Sequence, residues 1–454
     1  MEAKREFDVI VAGGGPSGGV AGIAAARCGA RVLVVEQHGF LGGSLTAMGV
    51  GPMMSFHNPS GRQVVAGIAQ ELVDRLQARG ASPGHIPDVI TYCNTITPFD
   101  AEALKVELET MLVEAGGQVL YHTQLAQAHR LGPLINGLTV CTESGLMELT
   151  AAHYIDATGN ACLAWLAGAE CWMGRESDGA TQPMTMKFKV GHVDTAALRA
   201  YIEAHPEDFY FKEGAEEGLR RLRQSPCVNA GGFVKAWRAA KAAGELDIPR
   251  NDVLFFETAT PGEIIINTSR IHGLDPTDPW ALSEAEMIGR RQAMAIFQFL
   301  RRHCAGFEQA HLLSTPAHIG IRETRHVRAR YTVQAEDVLE QNPFPDAIAC
   351  GGYPIDIHSP DGEKTHTRHL PKDAVYRIPL RSLLPTRPDN LVLAGRHIGA
   401  THEAAAAFRV TPIVMAIGQA AGVVAALAAA AGTPPAAVPA EAVRARLQRQ
   451  SALI

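Results

Sequence analysis

The stretch Phe7-Asp8-Val9-Ile10-Val11-Ala12-Gly13-Gly14-Gly15-Pro16-Ser17-Gly18-Gly19 decides the fold. Its first six residues are mostly apolar, as in a short strand buried on both faces. Gly13-x-Gly15-x-x-Gly18 follows at once and opens a helix predicted from about Ser17 to Cys28, with Gly29 placed to cap it. A second apolar run, Arg31 to Glu36, makes the next strand and puts Glu36 at its end, 18 residues past Gly18. Each part of this unit has a physical task. Gly13 permits the tight turn, Gly15 lets backbone N–H groups reach a pyrophosphate, and Gly18 allows the helix to pack closely on the strand. Pro16 and Ser17 stand in the first helical turn, where the helix field favours phosphate. Glu36, with Gln37 beside it, is placed to accept hydrogen bonds from ribose hydroxyls. A glycine pattern alone also occurs in ordinary α/β turns; strand, helix and timed acid together favour a dinucleotide site.

Composition narrows the class further. The chain has 454 residues, of which 46% are hydrophobic and 19% charged, so it has ample material for a core. Its 41 basic against 47 acidic residues leave no basic face for nucleic acid. Eight cysteines contain no CxxC pair, so zinc ribbons, iron–sulfur ligation and thioredoxin-type redox pairs lack their signature, and no metal is expected. Reduced thiols in a cytoplasm are the simpler expectation. Residues 9–26 imitate a signal peptide and 410–432 are long enough to span a bilayer. The first contains Asp8 at its edge and a glycine turn. The second has alanine as its commonest residue and carries Pro412, Gly418 and Gln419, so a buried helix and no membrane contact are expected.

Beyond Gly42-Gly43 runs a long glycine-, methionine- and proline-rich loop to Gly61, of a length that is commonly functional. Helices are expected at Val64–Arg79, Asp100–Glu114, Ser283–His303 and Thr411–Ala430. Strands are expected at Gln118–His122, in a hairpin of Leu138–Thr142 with Leu146–Ile155, and at Asn390–Ala394. The middle of the chain reads α+β. The chain then resembles the FAD-dependent oxidoreductase family of two-dinucleotide-fold flavoproteins. The likeness rests on GGGPSGG at 13–19, the 42–43 doublet, ATG at 157–159, GIRETR at 320–325 and AGRHIGATHEAAAAFRVTPIVMAIGQAAG at 394–422.

The resemblance implies an α/β fold of the glutathione-reductase type. A Rossmann-like FAD domain would be built from residues 1–176 and 384–454, with an α+β substrate or cap domain inserted at 177–383. It also implies FAD bound in extended form and held by Gly13, Gly15, Pro16, Ser17, Gly18, Glu36, Gln37, Gly42, Gly43, Ser44, Ala157, Thr158, Gly159, Gly395, Arg396, Thr411, Pro412 and Ile413. No histidine stands at the 42–43 doublet in an attachment pattern, so noncovalent binding is expected. Thr411 is the expected N-cap of the last helix, Pro412 its first residue, and the helix start is expected to face the flavin. A redox cysteine pair and a second GxGxxG are absent from the sequence, and Gly395-Arg396 replaces the Gly-Asp usual in flavin monooxygenases. The expected activity is therefore hydride transfer at flavin N5 with a small organic substrate. A monooxygenase and an electron-transfer subunit are the alternatives.

The catalytic end is less defined. His402, Arg409, Arg325 and His397 are the candidate catalytic set, drawn from two motifs that also hold Arg322, His326 and Arg396. Arginines suit an anionic substrate and a histidine suits proton transfer. The competing reading makes Arg322, Glu323 and Arg325 a structural ion-pair network or a phosphate clamp. His57 and Tyr353 lie in loops within reach of the same place.

Overall fold

A computed structural model of the chain describes residues 6–362 and 365–454. The strand Glu6–Ala12 lies inside a parallel sheet, between Val32–Val35 and the second half of Gly145–Asp156. Gln118–Leu120 extends the sheet on one side. On the other, Leu391–Leu393 returns from near the chain end to pair with Tyr154–Asp156. Val9, Ile10, Val11, Val34 and Val392 have no accessible surface, as unbroken apolar runs in such a sheet require. The first half of Gly145–Asp156 pairs antiparallel with Leu134–Thr142, which pairs in turn with Gln124–Leu131. The fold class is thus the expected α/β one with a Rossmann-like sheet.

Two helices of small residues lie against each other on this sheet. Pro16–Arg27 starts from Gly15, and Gly29, at φ 90°, closes its end by donating to Ala26 O at 2.8 Å. Thr411–Ala431 crosses it so closely that a Cβ on Gly418 would overlap Ser17 O, and one on Gly422 would overlap Ala21 O. This is the one helix, among the described residues, long and apolar enough to cross a bilayer, and 83% of its most apolar stretch is buried in protein. Its N-cap is Val410, so Thr411 and Pro412 are its first two residues and the expected cap lies one residue too late. The reason is that the Val410 carbonyl already accepts the Val414 N–H, at 3.1 Å.

Two other helix starts differ from expectation. Ile68–Ala78 begins after Val64 because the Val64 and Val65 N–H groups are bonded to Phe56 O and Gly67 sits at φ 67°. Pro279–His303 begins before Ser283 because Asp278 caps it, accepting the Ala281 N–H at 3.0 Å, with Pro279 at the first position.

A second layer is an antiparallel sheet of six strands: Phe209–Tyr210, Asn229–Gly232, Val253–Glu257, Ile264–Ile266, Phe188–Gly191 and His311–Ser314. Within the span 177–383, residues from Met184 to Ile321 build its core together with Val89. Val327, Val338, Tyr376 and Leu383 pack into the first core.

Candidate functional site

The glycine turn after Glu6–Ala12 is built by close backbone contact. A Cβ on Gly13, at φ 94°, would stand 2.6 Å from Ala157 O, and one on Gly18 would overlap Gly13 O. The doublet explains itself here: Gly42 N–H donates to Gly14 O at 2.9 Å, and a Cβ on Gly43 would meet Gly15 Cα at 2.7 Å. A Cβ on Gly15 would meet nothing nearer than Gly43 Cα at 4.0 Å. Glu36 is buried at the edge of this cradle, its two oxygens accepting the Gly14 N–H at 2.7 Å and the His38 N–H at 2.8 Å. Gln37 is exposed beside it.

At the end of the next strand the Asp156 carboxylate accepts Thr158 N–H and Oγ1–H at 3.0 and 2.7 Å, which fixes the Ala157-Thr158-Gly159 turn. Arg396 follows Gly395 (φ 125°) and lies over Gly159, donating to Asn160 Oδ1 at 2.6 Å. Its buried Nε has no hydrogen-bond partner. His397 is buried behind it, with Nε2 3.1 Å from Asp156 O.

In front of the final helix opens a cavity of about 500 Å³. Ser44, Met48 and Met54 of the long loop form one wall, Val410 and Thr411 another, and the antiparallel sheet a third. Lys187, Arg250, Arg270, Arg322, Arg396 and Arg409 line it, against the carboxylates Asp252 and Asp356. Arg409 Nη2 donates to Asp356 O at 3.0 Å and lies 3.3 Å from Asp356 Oδ2. Tyr353 OH donates to the same oxygen at 3.3 Å, and His358 Nε2 faces it at 3.5 Å. Burial works against the Asp356 carboxylate, but His358 and Arg409 more than offset it and hold it below the usual carboxylate range. Burial, with Arg322 nearby, lowers His358 to about 3, so its ring is neutral. Burial and the neighbouring Arg409 also lower Arg322 to about 9 and Arg396 to about 10. Arg322 Nη1 is held by Pro183 O and Thr185 Oγ1, both at 2.6 Å.

The two sequence motifs do meet, through an acid. Glu323 is buried, and its Oε1 lies 2.9 Å from His326 Nε2 and 2.7 Å from His402 Nδ1. Its side-chain partners are these histidines, where the competing reading had Arg322 and Arg325, and its Oε2 accepts the Gln182 N–H at 3.1 Å. Neither His402, His397 nor Arg325 is among the residues lining the large cavity. Arg325 instead donates to Asn160 O at 3.2 Å and lies over the Trp165 ring. His57 is bonded to Thr95 and also stands apart, while Tyr353 does line the cavity. Sequence reading missed Lys187, Asp356 and His358. The alternation Lys187-Phe188-Lys189-Val190 was the one available signal for the first.

A family model described as FAD dependent oxidoreductase matches residues 8–447. The chain belongs to this family. As a member it takes FAD as its cofactor and is an FAD-dependent oxidoreductase by class. A thiamine thiazole synthase of Aeropyrum pernix is 32% identical over 175 residues, 35% of this chain and 57% of that protein. The mitochondrial dihydrolipoyl dehydrogenase of Dictyostelium discoideum is 49% identical over 58 residues, 13% of this chain and 12% of that one. The chain thus spans less than two thirds of the curated relatives it matches. Its fold is similar to that of a geranylgeranyl bacteriochlorophyll reductase-like protein from Thermoplasma acidophilum, with TM-score 0.44 and 13% identity over 99% of this chain and 83% of that one.

Proposed function

We propose that this family member moves hydride between its FAD and a small anionic organic substrate, as a dehydrogenase or reductase. The observation that carries the reading is the cavity at the end of the cofactor cradle, where five arginines and Lys187 face two carboxylates. The residues present fit the cofactor. A side chain at Gly13, Gly18 or Gly43 would fill the cradle, and the buried Nε of Arg396 and of Arg409 lack partners.

Backbone N–H groups around Gly15, Ser17 and Gly43 would hold the diphosphate, with Pro16 and Ser44 flanking it. Glu36 would hold the adenosine ribose, with Gln37 at its exposed side. Ala157, Thr158 and Gly159 close the cradle behind Gly13. Gly395, Arg396 and the helix start at Thr411, Pro412 and Ile413 would face the flavin. When bound, FAD supplies a two-electron hydride acceptor or donor.

The chain's own side chains bind and orient. Arg322 and Arg409 present two guanidinium groups to a substrate carboxylate. The bond between Glu323 and His402 ties the segment bearing Arg322 to the helix His402–Phe408, which ends at Arg409. We therefore assign His402 to positioning these arginines, with His397 and Arg325 supporting the Asp156–Asn160 turn. The long loop lends Ser44, Met48 and Met54 to the cavity wall. The inserted segment would act as the cap, and eight free cysteines suit a cytoplasmic setting.

Anaerobic mixing of the FAD-loaded protein with paired carboxylate-bearing and uncharged alcohols tests this through flavin absorbance. Bleaching by the anionic members alone is expected. Rapid oxygen uptake driven by a nicotinamide reductant and coupled to hydroxylation would replace this reading with a monooxygenase.

A further inference from the structure

We propose that Lys187 is the catalytic base of this cavity and that the substrate it serves is an anionic alcohol, a small hydroxy acid. The proposal rests on reading the cavity as the place of hydride transfer. Lys187 precedes the strand Phe188–Gly191, whose Phe188 and Val190 enter the second core. Alternation along the strand sends Lys187 and Lys189 to the opposite face. The two lysines then fare differently. Lys189 donates to Glu263 at 2.9 Å. Lys187 is only 8% exposed, lines the cavity, and its side chain has no hydrogen bond or ion pair among the described residues.

An ammonium group buried without a counter-ion is costly, so the site favours the neutral amine. The surrounding charges act in the same direction. Arg322 and Arg409 oppose a positive charge at Lys187, and Arg250, Arg270 and Arg396 share the cavity. Of the two carboxylates, Asp252 is paired with Arg250, while Asp356 is engaged by Arg409 and Tyr353 and faces the neutral His358. Burial first, then Arg322 and Arg409, hold the Lys187 amine well below the usual lysine range. A neutral amine at the wall of a reaction cavity has a lone pair free to take a proton.

Oxidation of a hydroxy acid needs such a group. The C–H bond at the hydroxyl-bearing carbon breaks and its hydrogen leaves with the electron pair, as hydride, to the oxidised flavin. The hydroxyl O–H bond breaks, its proton forms a new N–H bond on Lys187, and the C–O bond becomes C=O. The carbon loses two electrons and the flavin gains two. The remaining cation excess explains the choice of alcohol over amine: an amino acid's ammonium would be repelled by the five arginines that line the cavity, whereas a carboxylate is drawn in.

Calorimetric titration of the FAD-loaded protein with oxalate, a dianion that does not itself titrate near neutral pH, tests the assignment. Run in two buffers of different protonation enthalpy, it reads the protons taken up on binding. Uptake approaching one proton per oxalate is expected for the wild type and none for Lys187→Met. Equal uptake in both proteins overturns Lys187 as the base while leaving the anion site standing. Failure of the wild type to bind millimolar oxalate overturns the anionic reading of the cavity, and the base with it. A second measurement needs no variant. Cyanate reacts with neutral amines, and each tenfold fall in proton affinity raises the neutral fraction about tenfold. Peptide mass spectrometry at neutral pH should show Lys187 carbamylated at least about tenfold faster than Lys189, with oxalate protecting it. Equal rates at the two lysines would overturn the proposal.

Discussion

Glu36 receives two backbone N–H groups and keeps one lone pair on each oxygen, which under the proposed cofactor site would take the adenosine ribose. A hydrogen bond to a charged group contributes about 1.5–3 kcal/mol, and about 1.4 kcal/mol is one decade of affinity. Glu36→Ala is therefore expected to weaken FAD by roughly tenfold to a hundredfold, read from cofactor retention on dilution. Glu323 shows the opposite use of a buried acid. Burial raises its pKa, but the bonds from His326 and His402 win and bring it from 4.5 to about 2. A carboxylate depressed in the folded state stabilises above its unfolded pKa, and that stability is lost as pH falls from about 4.5 towards 2. At roughly 1.4 kcal/mol per tenfold change in proton affinity this contributes about 3 kcal/mol. Glu323→Gln should lower the unfolding free energy by that order at neutral pH. In denaturant titrations the deficit should shrink as the pH is taken below 4.5. A deficit that stays constant down to pH 3 would contradict the assignment.

At the scale of elements, the contact between Pro16–Arg27 and Thr411–Ala431 decides whether the cradle is well formed. Glycine inside a helix costs about 1 kcal/mol relative to alanine, so Gly→Ala usually stabilises. Gly418 reverses the sign. Its added Cβ would overlap the Ser17 carbonyl oxygen, a backbone atom that cannot rotate away, and overpacking costs about 1–3 kcal/mol. Gly418→Ala is expected to lower Tm and to loosen FAD, because Ser17 belongs to the phosphate end of the first helix. Gly19→Ala is the matched control. Its Cβ would meet nothing nearer than Leu108 Cδ2 at 3.7 Å, so Tm should hold or rise. Equal losses in both variants would mean that the helix crossing is looser than described.

For the whole molecule, the proposed cofactor site gathers Gly13, Glu36, Gly159, Arg396 and Thr411, residues that only the folded chain brings together. A ligand bound by such a site stabilises the folded state by mass action, about 4 kcal/mol at a thousandfold excess over Kd. Removing FAD should lower Tm, and adding it back should raise Tm with the logarithm of its concentration. A melting temperature indifferent to FAD would show that the two ends of the chain do not close on it. Because the first core contains residues from both ends, unfolding followed at Trp165 and by flavin release should coincide.

Much of this protein was legible in its residues because the physics there is local. A turn that tolerates no Cβ demands glycine, a doubly buried strand demands an apolar run, and an acid one strand later reaches the same cradle. The Gly13–Gly18 turn, Glu36, the strand before Gly395 and the buried last helix all follow from such rules. Helix starts were less legible, since Val64 and Val410 are held by partners that the local pattern does not name. The least legible feature was the pairing of charges. Neighbouring residues in extended chain point to opposite sides, so Arg322 reaches the cavity while Glu323 turns to His326 and His402. Likewise Lys189 finds Glu263 while Lys187, two residues earlier and just before the same strand, finds no counter-ion among the described residues. Sequence alone determined the sheet, the phosphate turn and the cofactor class, because backbone geometry imposes those residue types. Only the tertiary structure decided which buried charges are neutralised and which are left to meet a substrate, because each pairing depends on contacts between segments tens to hundreds of residues apart.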